Sequence, residues 1–219
     1  MSSIAGESTQ DYGHISPAVF NPVEWELRSA VLADKDGKET FRQDNVRVPK
    51  SWSWNATNIV ASRYFRGKMG SPERESGIDK LISRVVNWIT SNGLAQSYFY
   101  NLEEAREFAD TLAELLLDQA VCFNTPVWLN IGVQGRAQTA AACYILGIED
   151  SMESILDWCS TEGRIFKAGS GSGINISKLR EENAPLSVGG VASGPVSFMA
   201  GPDSIAGMIK SGGTARRSA

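Results

Sequence analysis

The chemistry that this chain could carry is concentrated in one cysteine and three glycine-rich segments. Cys143 stands in the run TAAACYILGIEDSMESI, and the glycine-rich segments cover residues 168–175, 187–198 and 210–219. Glycine lets backbone N–H groups approach a ligand closely, and the arginines of the last segment offer forked donors for phosphate. Together these features predict a protein that handles nucleotides.

The composition of the chain argues against several classes of function. The chain has 219 residues and a net charge of -4, which argues against broad electrostatic binding to nucleic acid. It has no apolar segment long enough to predict a membrane span. The three cysteines lack CxxC spacing, so we expect neither a metal motif nor a disulfide framework, and we expect a reducing cytoplasm. The single histidine, His14, lies in a polar leader and leaves no basis for histidine chemistry.

Sequence patterns predict three regions. Residues 1–22 are expected to form a flexible leader, residues 23–120 a mostly helical region with a hairpin, and residues 121–219 an α/β region. In the helical region, the predicted hairpin strands are 25–32 and 39–48. Helices are expected at 55–65, at 77–90 and after the N-cap Asn101. The core stripe of the last helix is expected to be Leu102, Ala105, Phe108, Leu112 and Leu116.

The α/β region is expected to alternate strands and helices. The apolar run 140–148 predicts a strand buried on both faces, and residues 174–179 predict a second strand. Ser151 is expected to cap a helix, and residues 196–209 predict another. The inward residues of the Ser151 helix are expected to be Ile155, Leu156, Cys159 and Phe166.

The candidate residues each allow an ordinary structural interpretation. Cys143 could be a core residue, and Asp150 could be a helix-start acid or an acceptor for a ribose hydroxyl. The GSGSG run could be a plain loop or a phosphate cradle, since it matches neither a P-loop nor GxGxxG. Lys178, Arg180, Arg216 and Arg217 could be surface charges or anion ligands.

A family resemblance bears on these alternatives. The segments FNTPVWLNIG, QTAAACYILGIEDSMESI, GSGSGINISKLR, GGVASGPVSFM and IKSGGTARR, in this order, resemble the catalytic chain of the adenosylcobalamin-dependent (class II) ribonucleotide reductases. The earlier segment FRQDNVRVPKSWSWNATNIVASRYFR is similar to that family's N-terminal region. The likeness begins near residue 24. It implies an α/β fold in which a mostly helical region precedes the first strands and helices of a ten-stranded barrel, incomplete in this chain.

The resemblance implies a radical reaction on ribose. In that family, adenosylcobalamin generates a thiyl radical on a cysteine, the thiyl takes the 3′-hydrogen, and two further cysteines reduce the sugar. Cys143 corresponds to the first-strand member of this reducing pair. The positions that line the substrate correspond to Thr125, Ala142, Ser170 and Gly171. A ribonucleotide substrate and a thioredoxin-type reductant follow from the same likeness.

The resemblance also implies a second nucleotide site, for a dNTP or ATP specificity effector at a dimer interface. Asp150 corresponds to the acid that holds the effector ribose, Arg180 to the arginine on its phosphates, and Lys167 to an assisting residue. Residues 180–193 correspond to the first specificity loop. The second specificity loop corresponds to residues 211–217, with Ser211, Gly212, Gly213, Arg216 and Arg217 among its members.

The chain departs from the family at the radical cysteine. That cysteine lies in an N-x-C-x-E arrangement, which none of the three cysteines fits, so Cys122 and Cys159 are expected to be buried structural thiols. We therefore expect activity to need a C-terminal portion or a partner chain, in a homodimer or hetero-oligomer. The alternatives are a non-catalytic nucleotide-binding or assembly subunit and a fragment of an iron- or manganese-dependent (class I) reductase.

Overall fold

The computed structural model describes residues 14–209, which divide between two compact units. The first unit comprises Met1–Phe123 with Ile131–Gln134, and the second comprises Asn124–Asn130 with Gly135–Ala219. Across the described residues the chain is mixed α/β, with two separate two-stranded sheets and no closed barrel. None of the helices between residues 14 and 209 is both long and apolar enough to span a bilayer.

The first unit is built on the predicted hairpin. Strands β1 (Trp25–Ala33) and β2 (Glu39–Pro49) pair antiparallel, which confirms the prediction. The turn closes because the Asp34 N–H donates to the Lys38 carbonyl at 2.9 Å and the Asp34 carboxylate accepts from the Lys38 N–H at 2.9 Å. Gly37 adopts φ +79°, a conformation that favours glycine.

The helices of the first unit begin within one residue of their predicted starts, and the last of them begins at its predicted cap, Asn101. They are α1 (Trp54–Ile59), which continues as a π-helical turn (Val60–Tyr64), α2 (Ile78–Ala95) and α3 (Leu102–Leu117). At the start of α3, the Glu104 N–H donates to Asn101 Oδ1 at 2.8 Å, and the Glu104 carboxylate accepts from the Tyr100 N–H at 2.7 Å. In an ordinary capping box, the Glu104 carboxylate would accept from the N–H of the N-cap residue, Asn101. Here it accepts from the N–H of the residue before the N-cap.

Helix α3 buries Ala105 and Leu116 as its pattern predicts, but the rest of its buried stripe differs from the predicted one. The buried residues are Ala105, Ala109, Ala113, Leu116 and Leu117. Phe108 is exposed on its flank, where its ring lies 5.2 Å from that of Phe99. Helix α3 packs against α2, and its three alanines are fully buried, so the buried face of α3 is built from small side chains and the larger Phe108 lies outside it.

The predicted flexible leader is wrong for residues 14–22. Pro17–Phe20 form a short 3₁₀ helix, and Ile15 and Val19 are buried. The Ser16 N–H donates to Asp110 Oδ1 of α3 at 2.6 Å, which holds this segment on the helices. Residues 1–13 lie outside the described part of the chain.

A buried ion pair joins α2 to the segment that precedes it. Arg84 Nε donates to Glu75 Oε1 at 2.7 Å, with only 12% and 9% of the two side chains exposed. The second carboxylate oxygen of Glu75 accepts from the Arg66 N–H at 2.7 Å, and Arg84 Nη1 donates to the Ile131 carbonyl. The carboxylate therefore satisfies one backbone and one side-chain donor away from water.

The second unit contains a parallel βαβ arrangement. Its elements are α4 (Thr125–Asn130), β3 (Cys143–Leu146), α5 (Met152–Lys167), β4 (Gly171–Ile174) and α6 (Gly194–Met208). Strands β3 and β4 form a two-stranded parallel sheet connected through α5. The apolar core of this unit consists of Ile148, Ile155, Trp158 and Leu179, with Leu146, Ile174, Ile176 and Phe198 against it.

Two strand predictions in the second unit need correction. The first strand spans four residues rather than 140–148. The second strand, Gly171–Ile174, lies in the glycine-rich run for which the sequence allows a plain loop or a phosphate cradle, and residues 175–179 are irregular. On α5, Ile155 and Phe166 are buried as predicted, whereas Leu156 is exposed.

We predict that Glu75→Gln destabilises the first unit by about 3 kcal/mol, because it leaves the buried Arg84 guanidinium without its countercharge. Urea unfolding followed by circular dichroism measures the change. The matched control is Glu39→Gln, which removes an exposed partner of Arg42 and should leave unfolding unchanged. Equal unfolding curves for the two variants would contradict the prediction.

Candidate functional site

The parallel sheet brings four of the predicted site residues together. Cys143 and Gly171 are directly paired across β3 and β4. The Gly171 N–H donates to the Ala142 carbonyl at 2.7 Å, and Ser170 Oγ donates to the Ala141 carbonyl at 2.7 Å. Cys143 and Ala142 thus lie beside Ser170 and Gly171, although 27 residues separate Cys143 from Ser170 in the sequence.

The two faces of this sheet differ completely. Alternation along β3 and β4 places Tyr144, Leu146, Ser172 and Ile174 toward α5 and the core. The opposite face carries Cys143 and Ile145 on β3, paired with Gly171 and Gly173 on β4.

The face that carries Cys143 is open. Ile145 is 94% exposed, Cys143 is exposed, and a Cβ placed on Gly173 would meet nothing within 4 Å. The prediction that this strand is buried on both faces is therefore wrong in the described chain, because α5 covers only one face. The glycines of β4 keep the backbone beside the Cys143 thiol free of side chains.

Two buried residues that position this sheet were missed from the sequence. Ser172 Oγ donates to the carboxylate of Glu162, which is only 6% exposed on α5. Glu162 lies four residues after Trp158 and four before Phe166, both buried. An acid at helical spacing within an apolar stripe was the signal that could have revealed it.

The second missed residue is Asn130, at the end of α4. Its side chain is buried and donates to the Ala168 carbonyl at 3.2 Å and the Thr139 carbonyl at 3.4 Å. These carbonyls precede β4 and β3 respectively, so Asn130 ties α4 to the entry of both strands. Thr125, the predicted substrate residue, is partly exposed at the first position of the same helix.

Beyond the ends of the strands, two ion pairs connect the chain that follows β3 to the chain that follows β4. Arg180 Nε donates to Asp150 Oδ2 at 2.6 Å, and the Arg180 N–H donates to Asp150 Oδ1 at 3.4 Å. Lys178 Nζ donates to Glu149 Oε1 at 2.5 Å. The structure thus brings together the predicted ribose acid and the predicted phosphate arginine.

Lys167 is not brought to this pair. It is exposed at the last position of α5, whereas Asp150 lies just before the first turn of that helix. The 16 residues of α5 span about 24 Å, which is longer than the reach of a lysine side chain. The remaining predicted effector residues, Ser211, Gly212, Gly213, Arg216 and Arg217, lie outside the described residues.

The segment predicted as the first specificity loop folds back on itself. The Asn183 N–H donates to the Ala192 carbonyl at 2.9 Å, and the Ala192 N–H donates to the Ala184 carbonyl at 2.9 Å. Gly189 and Gly190 turn the chain with φ of +89° each. Val188, beside this turn, is 93% exposed. The loop therefore presents an apolar tip on a closed backbone ring.

The other two cysteines differ in their surroundings. Cys122 is exposed, so the prediction that it is a buried thiol is wrong; it lies in the irregular chain between α3 and α4. Cys159, on α5, is partly buried, and a Cβ on Gly201 of α6 would lie 3.4 Å from its sulfur. Burial raises the pKa of the Cys159 thiol, and the nearby Glu162 carboxylate raises this pKa further.

Comparison with known proteins identifies the family to which this chain belongs. A family model described as "Ribonucleotide reductase, barrel domain" matches residues 141–219, which include the sheet and both ion pairs. A second, described as "Class II vitamin B12-dependent ribonucleotide reductase", matches residues 26–119. The chain belongs to the class II, vitamin B12-dependent ribonucleotide reductases.

Individual relatives agree with this assignment. A vitamin B12-dependent ribonucleotide reductase of Streptomyces clavuligerus is 49% identical over 209 residues, covering 94% of this chain and 22% of the relative. One from Rhodopirellula baltica is 38% identical over 228 residues, covering 91% of this chain and 22% of the relative. A vitamin B12-dependent ribonucleoside-diphosphate reductase of Mycobacterium tuberculosis is 32% identical, covering 78% of this chain and 24% of the relative. The chain thus spans about a fifth of the length of such relatives.

We predict that iodoacetamide alkylates Cys159 several times more slowly than Cys122 at neutral pH, because the thiolate is the reactive form and the raised pKa of Cys159 keeps its thiol protonated. The rate at Cys159 should rise steeply as the pH is made alkaline, because its thiolate forms only there. Mass spectrometry of the cysteine peptides measures both rates, and the same peptides in urea provide the control. Equal rates in the folded chain would contradict this assignment.

Proposed function

We propose that this chain forms the first strands of the catalytic barrel of a ribonucleotide reductase and carries one of its two reducing thiols. The observation that supports this most directly is the exposed thiol of Cys143 on the open face of the sheet, paired with Gly171. A thiol that served only as core filling would face α5. The proposed substrate-lining residues are Thr125, Ala142, Ser170 and Gly171, of which the last three lie next to Cys143 at the start of the sheet.

The proposed reaction replaces the 2′-hydroxyl of a ribonucleotide with hydrogen. In each turnover the hydroxyl leaves as water, and two thiols become one disulfide by giving up two protons and two electrons. Cys143 is one of these thiols. The second must come within disulfide reach, with Cβ atoms about 4 Å apart, and is assigned to the portion of the reductase that completes the barrel.

The open face is suited to a sugar because side chains are small where the substrate must lie. Gly171 and Gly173 carry no side chain beside Cys143 and Ile145. A ribose can therefore approach the sulfur along β4 without meeting a side chain on that strand. Beneath the sheet, Glu162 and Ser172 fix β4 so that this approach is kept in one register.

Adenosylcobalamin supplies the radical chemistry when it is bound. The open face offers a corrin only the Cys143 thiol, the Ile145 side chain and glycine backbone, which is a surface to approach and not a set of ligands. We therefore assign no residue of this chain to the cofactor. The residues of this chain bind and orient the ribose and deliver reducing equivalents.

Asp150 and Arg180 form the centre of the proposed effector site, for a dNTP or ATP. Their contact supports a shared ligand, because carboxylate and guanidinium complement ribose hydroxyls and phosphates respectively. Ser211, Gly212, Gly213, Arg216 and Arg217 are proposed to carry the effector signal to the substrate. Effector and substrate should then change each other's affinity by the same factor.

The complete enzyme is proposed to be a cytoplasmic homodimer or hetero-oligomer with a ten-stranded barrel. Both the remaining strands and the radical cysteine would come from a C-terminal portion or a second chain. A thioredoxin-type reductant would reopen the disulfide after each turnover, consuming two electrons. This chain alone is expected to show no ribonucleotide reduction, because none of its three cysteines lies in the N-x-C-x-E arrangement.

We predict that Cys143→Ser in the complete reductase abolishes multiple turnovers with a thioredoxin-type reductant, because a hydroxyl cannot form the disulfide. Deoxyribonucleotide formation per enzyme, measured by chromatography, should fall below one equivalent. Cys122→Ser is the matched control and should retain turnover, since its exposed thiol lies outside the sheet. Unchanged turnover of Cys143→Ser would favour a nucleotide-binding subunit without chemistry.

We predict that Gly173→Val in the complete reductase lowers kcat/KM for the ribonucleotide about tenfold or more, because its side chain fills space on the open face, two residues along β4 from the Gly171 that pairs with Cys143. Gly207→Val is the control, since a Cβ at Gly207 also meets nothing within 4 Å but lies on α6. Both variants should unfold at the temperature of the parent protein. A normal kcat/KM for Gly173→Val would place the substrate away from this face.

A further inference from the structure

The contact between Asp150 and Arg180 is made on a particular edge of the guanidinium. The carboxylate accepts from Nε–H at 2.6 Å, and its other oxygen lies 3.4 Å from the backbone nitrogen of the same arginine. One carboxylate therefore holds both ends of Arg180. This arrangement restricts the side chain far more than a contact at the tip would, since it fixes the Nε–H direction and with it the guanidinium plane.

The rest of the guanidinium remains available. Within residues 14–209, the Nη1 and Nη2 atoms of Arg180 have no hydrogen-bond partner, and 42% of the side chain is exposed. Because the guanidinium is planar, a carboxylate on its Nε edge directs the terminal nitrogens away from that carboxylate. Two nitrogens presented in this way match two oxygens of a phosphate.

The neighbouring ion pair lacks this property. Lys178, two residues before Arg180, contacts Glu149, one residue before Asp150. Both of these side chains are more exposed than those of the Asp150–Arg180 pair. An ammonium group has no fork and no edge to orient. The two pairs therefore offer a comparison in which the charges are the same and only the geometry of the cation differs.

We propose that Asp150 is a positioning residue for Arg180: it holds the Nε edge so that both terminal nitrogens meet the polyphosphate of the effector. This rests on the proposed effector site and deepens it. It differs from the role that the resemblance implies for Asp150, in which the carboxylate acts on the ribose. The acid would then contribute to phosphate binding even though it carries the same sign of charge as phosphate.

Because Asp150 and phosphate are both negatively charged, an experiment can separate a role of Asp150 in positioning Arg180 from a role in binding the ribose. Removing an acid near an anion site strengthens anion binding by simple electrostatics. If Asp150 acts on ribose alone, Asp150→Ala should therefore leave inorganic tripolyphosphate binding unchanged or tighter. If Asp150 positions Arg180, Asp150→Ala should weaken it in spite of the more favourable charge.

The experiment uses calorimetry on the complete reductase that contains this chain. Its probes are tripolyphosphate, dATP and deoxyadenosine, and its variants are Asp150→Ala, Glu149→Ala as the charge-matched control, Arg180→Lys, and Asp150→Ala with Arg180→Lys. We expect Asp150→Ala to weaken tripolyphosphate and dATP by about tenfold each, as for loss of a charge-assisted hydrogen bond. Glu149→Ala should not weaken either. In the Arg180→Lys background, Asp150→Ala should have no further weakening effect.

Each other result overturns the inference. Loss of dATP or deoxyadenosine affinity with tripolyphosphate binding retained would assign Asp150 to the ribose alone. Equal losses in Asp150→Ala and Glu149→Ala would indicate general damage, which the thermal unfolding midpoints would show. Failure of the parent reductase to bind dATP would reject the effector site itself, and this inference with it, while leaving the role of Cys143 intact.

Discussion

The pairing of β3 with β4 is the constraint on which the second unit depends. Four consecutive residue pairs, beginning with Cys143 and Gly171, fix the register. Because side chains alternate, a shift of one residue would move Cys143 onto the α5 face and bring Tyr144 to the open face. Asn130 at the strand entries, Glu162 beneath β4 and the ion pairs beyond the strand ends all oppose such a shift.

The same constraint explains why an apolar strand can be exposed. The residues of β3 that face α5 join the apolar core, whereas Ile145 on the other face is almost fully exposed in the described chain. An isoleucine at that position is costly to leave in water and would gain by burial against the further strands of the proposed barrel. The exposure of Ile145 therefore supports the proposal that this sheet is part of a larger one.

Local patterns predicted the hairpin, the capped helices and the mixed α/β character because these depend on nearby residues. Asn101 and Ser151, for example, cap α3 and α5 as expected. Prediction failed where distant contacts decide. The sequence allows a plain loop or a phosphate cradle for the GSGSG run, yet pairing with β3 makes its last three residues part of a strand. Ile15 and Val19 looked like a leader because their buried positions depend on helices more than 60 residues away. The contacts of Glu162 and Asn130 were likewise invisible to periodicity alone.

The placement of the two candidate sites follows from the shortness of β3. Cys143 begins this strand, and Asp150 follows it by a few residues, so the proposed thiol and the proposed effector pair lie toward opposite ends of one four-residue strand, about 13 Å long. On the neighbouring strand, Gly171 begins β4 and Arg180 lies beyond its end. A ligand that moved Arg180 relative to Asp150 would act on the chain that follows both strands. The proposed coupling between the two sites would then need no longer path than this pair of strands.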